Sequence, residues 1–363
     1  MAHGAGRRKR RRRSKRTRKA FLRFAGLAFA VVAIGAILLV ANRRFESGNS
    51  IEAAPRPLAA SFRLPVTFDP AYAGDILAAR AELFRRSGLA MDLKDGQGSA
   101  DPIAAVVSGA ETFGAAPAED FLTARAKGAP IVAFGAGYLE SPIAFFALES
   151  AGIHGPRDFV GKRVLREANG RTSAMIYDVL LQVVGLGRSE PREVAGVASV
   201  DALANGDVDV IPGRIAETSY ALSWKGVRYT VISASNYGIH VPGTAYFAAE
   251  KTIRDDPSTV QRFLNGIIAG WMQVYADYSK SVPLLVGDDR TLSPDQVRFE
   301  LAAQRDYVIP AARRIAEFDD IQWKQLAIVL NNERVVNDVI DLSRAINYDV
   351  LKETYRRPIS FGK

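Results

Sequence analysis

The chain has 363 residues, a formal charge of +9, no Cys and three His. Fourteen of its 48 Lys and Arg fall in residues 1–44, which hold no Asp or Glu, so the rest carries 34 basic against 39 acidic residues, a charge of −5. That split argues against a nucleic-acid-binding domain, whose folded surface would be basic. The lack of Cys excludes disulfides and lipoprotein attachment, and it argues against a soft or zinc-type metal site.

Residues 1–23 are a basic tail, and residues 24–41 follow without a charge. As a helix this run spans roughly 27 Å, close to a bilayer core of about 30 Å. Positive charge ahead of it, with only Arg43 and Arg44 behind it, predicts a cytoplasmic N-terminus and a working domain on the far side. The run is either a cleaved signal or an uncleaved anchor in the inner membrane. No small-x-small site follows it directly, which favours the anchor. Residues 17–23 resemble a twin-arginine export signal, with Lys19 where the second Arg would stand, so the export route stays open. Residues 42–61, with Gly48, Pro55 and Pro57, read as a linker.

Beyond the linker, strands and helices alternate. A strand is expected over 63–68 and a helix over 71–87, stopped by Gly88. A second strand covers 89–93. Asp101 and Pro102 read as an N-cap and first helical position for a helix to 108. Then come a strand at 112–115, a helix at 117–127 and a strand at 130–136. A second set has strands at 143–148, 163–165, 208–211 and 228–232, with helices at 172–184, 200–204 and 214–224. A strand at 244–249 leads back. Helices follow over 257–278, 294–304, 310–318, 321–331 and 336–344. The alternation predicts an α/β chain of mostly parallel sheets flanked by helices, with a helical C-terminal extension.

Six ordered segments carry a resemblance to a known family. They lie at 78–89, 107–114 (Val107-Ser108-Gly109-Ala110-Glu111-Thr112-Phe113-Gly114), 124–132, 155–164, 204–210 (Ala204-Asn205-Gly206-Asp207-Val208-Asp209-Val210) and 256–264. Over about 63–280 the chain resembles the periplasmic solute-binding proteins of ABC transporters for nitrate, sulfonates, taurine and thiamine-precursor pyrimidines. The resemblance implies a two-lobed periplasmic-binding-protein fold of type II. Residues 62–139 and 241–363 would form lobe one with the C-terminal helices. Residues 142–236 would form lobe two. It implies capture of a small anionic or heteroaromatic organic solute by lobe closure, and delivery to the permease and ATPase subunits of an ABC transporter. A membrane-anchored sensor or accessory protein with the same fold is the alternative. A related fold serves enzymes that make the thiamine pyrimidine, chemistry associated with a Cys-rich iron site; a chain without Cys argues against it.

Ligands of open α/β sheets bind beyond the carboxyl ends of the strands. That rule selects Phe68, Asp69 and Tyr72 after the first strand, and Ala116 after the third. In lobe two it selects Arg171, Thr172 and Ser173 after Gly170, and Arg214 with Glu217. Tyr138 and Ser141 mark the first crossover and Tyr237 the second. The Gly170 loop is the best anion site, with free N–H groups and two hydroxyls at a helix start, although Thr172 or Ser173 as a simple cap is an equal reading. Phe68, Tyr72 and Tyr237 either stack on a ring or belong to the core. Asp69 either holds an amine or shapes the turn before Pro70. Arg214 pairs either with an anionic ligand or with Glu217. No cofactor, metal or nucleic-acid partner is expected: there is no phosphate-binding glycine loop, and Gly96-Gln97-Gly98 lacks the third glycine. Nothing pairs a nucleophile with one of the three His.

Overall fold

The computed structural model describes residues 56–67, 69–167, 170–287 and 292–357. The basic tail, the apolar run at 24–41, most of the linker and Phe68 lie outside the described residues. Among the described residues no helix is long and apolar enough to cross a membrane.

The first strand, β1, is Leu58–Arg63, so it begins inside the segment expected to be linker and ends where a strand was expected to start. Its alternation explains the shift: Ala60 and Phe62 are buried while Ala59 is exposed and Ser61 and Arg63 are half-buried, and Pro65 cannot donate to a ladder. The expected helix over 71–87 is broken in two, α1 at Ala73–Arg80 and α2 at Leu83–Arg86, because Glu82 between them is left-handed at φ 55°. Strand β2 is Leu89–Lys94. Helix α3, Ala100–Ser108, starts before Asp101, so Asp101 does not cap it. The carboxylate instead accepts from the Gln97 N–H (3.2 Å) and pairs with Arg63 (3.3 Å). Strand β3 (Phe113–Pro117), α4 (Ala118–Ala126) and β4 (Ile131–Ala136) follow closely as expected.

The second set comprises β5 (Ile143–Leu148), β6 (Arg163–Glu167), α5 (Arg171–Val184), β7 (Arg192–Gly196), α6 (Val200–Ala204), β8 (Val210–Arg214), α7 (Ile215–Trp224) and β9 (Tyr229–Ser233). Strand β7 is unforeseen. Its residues are half-buried or exposed, so it lacks an apolar pattern and is held by parallel pairing to β6 at the sheet edge. Strand β10 (Thr244–Ala249) returns to the first set. Then come α8 (Glu250–Asp255), α9 (Pro257–Ala276), α10 (Tyr278–Val286), α11 (Pro294–Val308), α12 (Asp320–Asn332), α13 (Leu342–Ala345) and α14 (Asp349–Arg356).

Two five-stranded sheets result, ordered β2-β1-β3-β10-β4 and β7-β6-β8-β5-β9. In each, four strands run one way and one opposes them: β10 in the first sheet and β5 in the second. The opposed strand is the one that arrives from the other lobe, so each sheet is mostly parallel. Around the first sheet the core is aromatic. Phe263 on α9 lies 4.2 Å from Phe113, 4.9 Å from Phe62 and 5.6 Å from both Phe84 and Phe134, centroid to centroid. Helices α1 and α9 cross where Gly74 faces the Trp271 ring and Gly270 faces the Gly74 carbonyl; a Cβ at either glycine would overlap its neighbour, which is why glycine stands there.

The two crossovers between the lobes are hydrogen-bonded to each other. Ser141 N–H donates to the Val241 carbonyl (2.7 Å), Gly243 N–H to Tyr138 (3.1 Å) and Gly137 N–H to Thr244 (2.8 Å). The Tyr307 carbonyl, near the end of α11, accepts from both Leu139 (2.9 Å) and Glu140 (3.3 Å). Two expected C-terminal helices are corrected. Residues 310–318 are not helical, since Ala312 and Ala316 both have φ 63°, and the Ala316 carbonyl instead accepts from Ala136 N–H at the β4 edge (3.1 Å). Of 336–344, only the short α13 at its end is helical.

Candidate functional site

The carboxyl ends of β1, β3, β6 and β8 face one another across the lobes, and charged side chains bridge them. Asp69 follows β1 and caps a short 3-10 turn, Pro70–Tyr72, by accepting from Ala71 N–H (2.8 Å). Its second oxygen accepts from Arg214 (2.6 Å), which ends β8 in the other lobe. Arg214 also donates to Glu217 one turn on (2.8 and 3.0 Å). Arg214 therefore has its local partner Glu217 and also reaches Asp69 across the cleft. Burial opposes its charge, yet Asp69 and Glu217 together hold its pKa above the ordinary value. Glu300 on α11 shares this field. Burial, with Asp69 and Glu217 nearby, pushes its pKa up to about 6 although Gln296 and Arg214 oppose the rise.

A second bridge joins β3 and β6. Glu119 and Asp120 stand in the first turn of α4, just past β3. Arg171, the first residue of α5, pairs with Asp120 at 3.6 Å. Thr172 donates its hydroxyl to Glu119 Oε1. Ser173 donates to Glu167 Oε2 (2.7 Å) and to the Gly170 carbonyl (3.0 Å). Neither hydroxyl caps a helix N–H; both are committed to carboxylates. Glu119 is 1% exposed, and its Oε2 has no hydrogen-bond partner. Burial, reinforced by Asp120, pushes its pKa up to about 8.

The other expected residues take structural positions. Tyr72 is buried beneath the Asp69 turn, and burial raises its pKa. Tyr138 is buried and donates to Gln304 Oε1 (2.7 Å), whose amide in turn donates to the Pro70 carbonyl (2.8 Å). Ala116 is fully buried opposite Ala245 in the first sheet. Ser141 lies in the crossover ribbon through its backbone. Tyr237 closes a short turn, Ala234–Tyr237, and its hydroxyl lies against Gly155 rather than at the bridged loops. Phe68 lies outside the described residues. Sequence reasoning missed Glu119, Asp120, Glu300 and Gln304. The two acids sit three and four residues past Ala116, in the first turn of the helix that follows β3, so the rule that selected Ala116 stopped one turn short. Glu300 and Gln304 come from a helix far along the chain, and no local pattern marks them.

The sequence model of the family described as NMT1/THI5 like matches residues 69–280. No curated protein matches the sequence. Among solved structures, the chain is similar to the periplasmic aliphatic sulphonate binding protein SsuA from Escherichia coli, with a TM-score of 0.65 and 16% identity over 81% of this chain and 92% of that one. The alkanesulfonate-binding protein SsuA from Xanthomonas axonopodis pv. citri, bound to MOPS, gives 0.60 and 16% over 82% and 99%. A cysteine-to-serine mutant of DSZB in complex with biphenyl-2-sulfinic acid gives 0.62 and 13% over 82% and 99%, and DSZB is a desulfurization enzyme. At these identities the likeness is one of fold.

Proposed function

The chain belongs to the NMT1/THI5-like family, and from that premise we propose that it is an extracytoplasmic solute-binding protein. It captures a small anionic or heteroaromatic organic solute between its lobes and hands it to the permease and ATPase subunits of an ABC transporter. The carrying observation is the pair of inter-lobe bridges, Asp69 to Arg214 and Glu119 with Asp120 to Thr172 and Arg171, at the carboxyl ends of the strands. These groups bridge the two lobes in this structure. A solute touching both sides stabilises that state by its differential affinity, and the hydrogen-bonded crossovers supply the hinge. The fold alone does not separate a carrier from an enzyme, since DSZB shares it; this reading is of a carrier. Residues 24–41 would hold it at the outer face of the inner membrane, or direct its export.

A thermal-shift screen of the full chain tests the proposal, with taurine, alkanesulfonates, nitrate, aromatic carboxylates, hydroxymethylpyrimidine and riboflavin-like rings. A solute at about 100 times its Kd stabilises the folded state by about 2.7 kcal/mol. Arg214→Gln should abolish most of that shift, because it removes the cation that reaches across the cleft. A folded protein that shows no shift with any of these solutes would overturn the reading.

A further inference from the structure

We propose that Glu119 is the specificity-determining group of the cleft and that it selects solutes carrying a nitrogen donor, an ammonium or a ring amino group. This rests on the solute-binding reading and narrows it. Three observations carry the inference. First, one oxygen of Glu119 is fixed by the Thr172 hydroxyl from the opposite lobe, while the other is buried and has no partner. A buried carboxyl with an unpartnered oxygen is costly to keep, and a nitrogen donor from a ligand removes that cost by favouring its ionised form. Second, the loop that looked suited to an anion is ringed by acids: Glu167 takes the Ser173 hydroxyl, Glu119 takes the Thr172 hydroxyl, and Asp120 takes Arg171. An anion there would meet carboxylates rather than free hydroxyls. Third, the cations nearest Glu119 already have partners. Arg171 is engaged by Asp120, and Asp120 also accepts from Ser99 Oγ (2.6 Å). The cation on the far side of the cleft, Arg214, is shared by Asp69 and Glu217. A nitrogen donor would therefore complete Glu119.

Matched probes read this directly. Isothermal titration of the full chain would compare taurine with 2-hydroxyethanesulfonate, and a 4-aminopyrimidine with its 4-hydroxy counterpart. In at least one pair the amino member should bind ten-fold or more tightly than the hydroxyl member. Glu119→Gln, which keeps the shape and the oxygen held by Thr172, should erase that preference. Unchanged circular dichroism of the unliganded Glu119→Gln protein guards against a folding artefact. Equal or reversed preference in both pairs overturns the inference. If other solutes still raise the melting temperature, the carrier reading stands without it; if nothing binds, both fall.

Discussion

Phe263→Ala should lower the stability of the folded chain by about 4 kcal/mol, within the range for emptying a buried aromatic site. Phe263 has no exposed surface, and besides its four phenylalanine neighbours it lies 5.8 Å from the Tyr246 ring. Those partners come from β1, α2, β3, β4 and β10, so one side chain joins most of the first sheet to α9. The surrounding rings are themselves fully buried and closely packed, and they cannot collapse into the space. For a chain of this size the loss corresponds to a fall in melting temperature on the order of 10 °C. Phe263→Leu, which keeps most of the volume, should cost about 1 kcal/mol. Urea unfolding of the two variants checks the pair; a cost below about 1 kcal/mol for Phe263→Ala would show that α9 is not what the first sheet packs on.

Asp75→Asn should stabilise the protein above neutral pH and change little in acid. Asp75 on α1 is completely buried, and neither carboxyl oxygen has a well-formed hydrogen bond, although the Tyr246 hydroxyl is close enough to temper the effect. Burial pushes its pKa from 3.8 up to about 7. The folded state thus holds a proton that the unfolded state has lost, and stability falls as pH rises from about 4 to about 7, then levels. A rise of that size corresponds to roughly 4 kcal/mol as an upper bound. Glu119 acts in the same direction over a slightly higher range, so the wild type keeps a residual slope that the Asp75 variant shares. The difference between the two proteins isolates Asp75. It should grow from near zero at about pH 4 to about 2–4 kcal/mol at about pH 8. A difference independent of pH would mean that the carboxyl is already ionised in the folded state.

Strand and helix identity was legible wherever the apolar period was regular. Strands β4, β5 and β10 and helices α4, α5 and α7 stand within about two residues of their expected positions. What failed had non-local causes. Strand β1 looked like linker because its small residues gain meaning only beside β2. Strand β7 has no apolar face of its own. Residues 310–318 carry helix-forming alanines, yet two of them adopt positive φ to meet the β4 edge. The strand-end rule selected Asp69, Arg171, Thr172, Arg214 and Glu217, which the structure brings together in the two bridges. The direction of the bonds was not legible. That Thr172 and Ser173 face carboxylates depends on Glu119 lying 53 residues away from Thr172, a pairing that only the folded sheets create.

The order β2-β1-β3-β10-β4 bears on how the chain acquires its shape. Strand β10 lies between β3 and β4, not at an edge, and it follows β4 by more than a hundred residues. The lobe synthesised first therefore lacks a central strand until the whole second lobe has been made. The second lobe, β5 to β9, draws every strand from one continuous stretch. Closing a long loop slows folding, and an incomplete sheet exposes unpaired strand edges meanwhile. Strands β3 and β4 would wait as open edges, available to chaperones, while the later-made lobe consolidates. In pulse-labelling hydrogen exchange during refolding, amides of Phe145 and Phe146 should gain protection before those of Tyr246 and Phe247; the reverse order would show that β10 docks ahead of the lobe that precedes it.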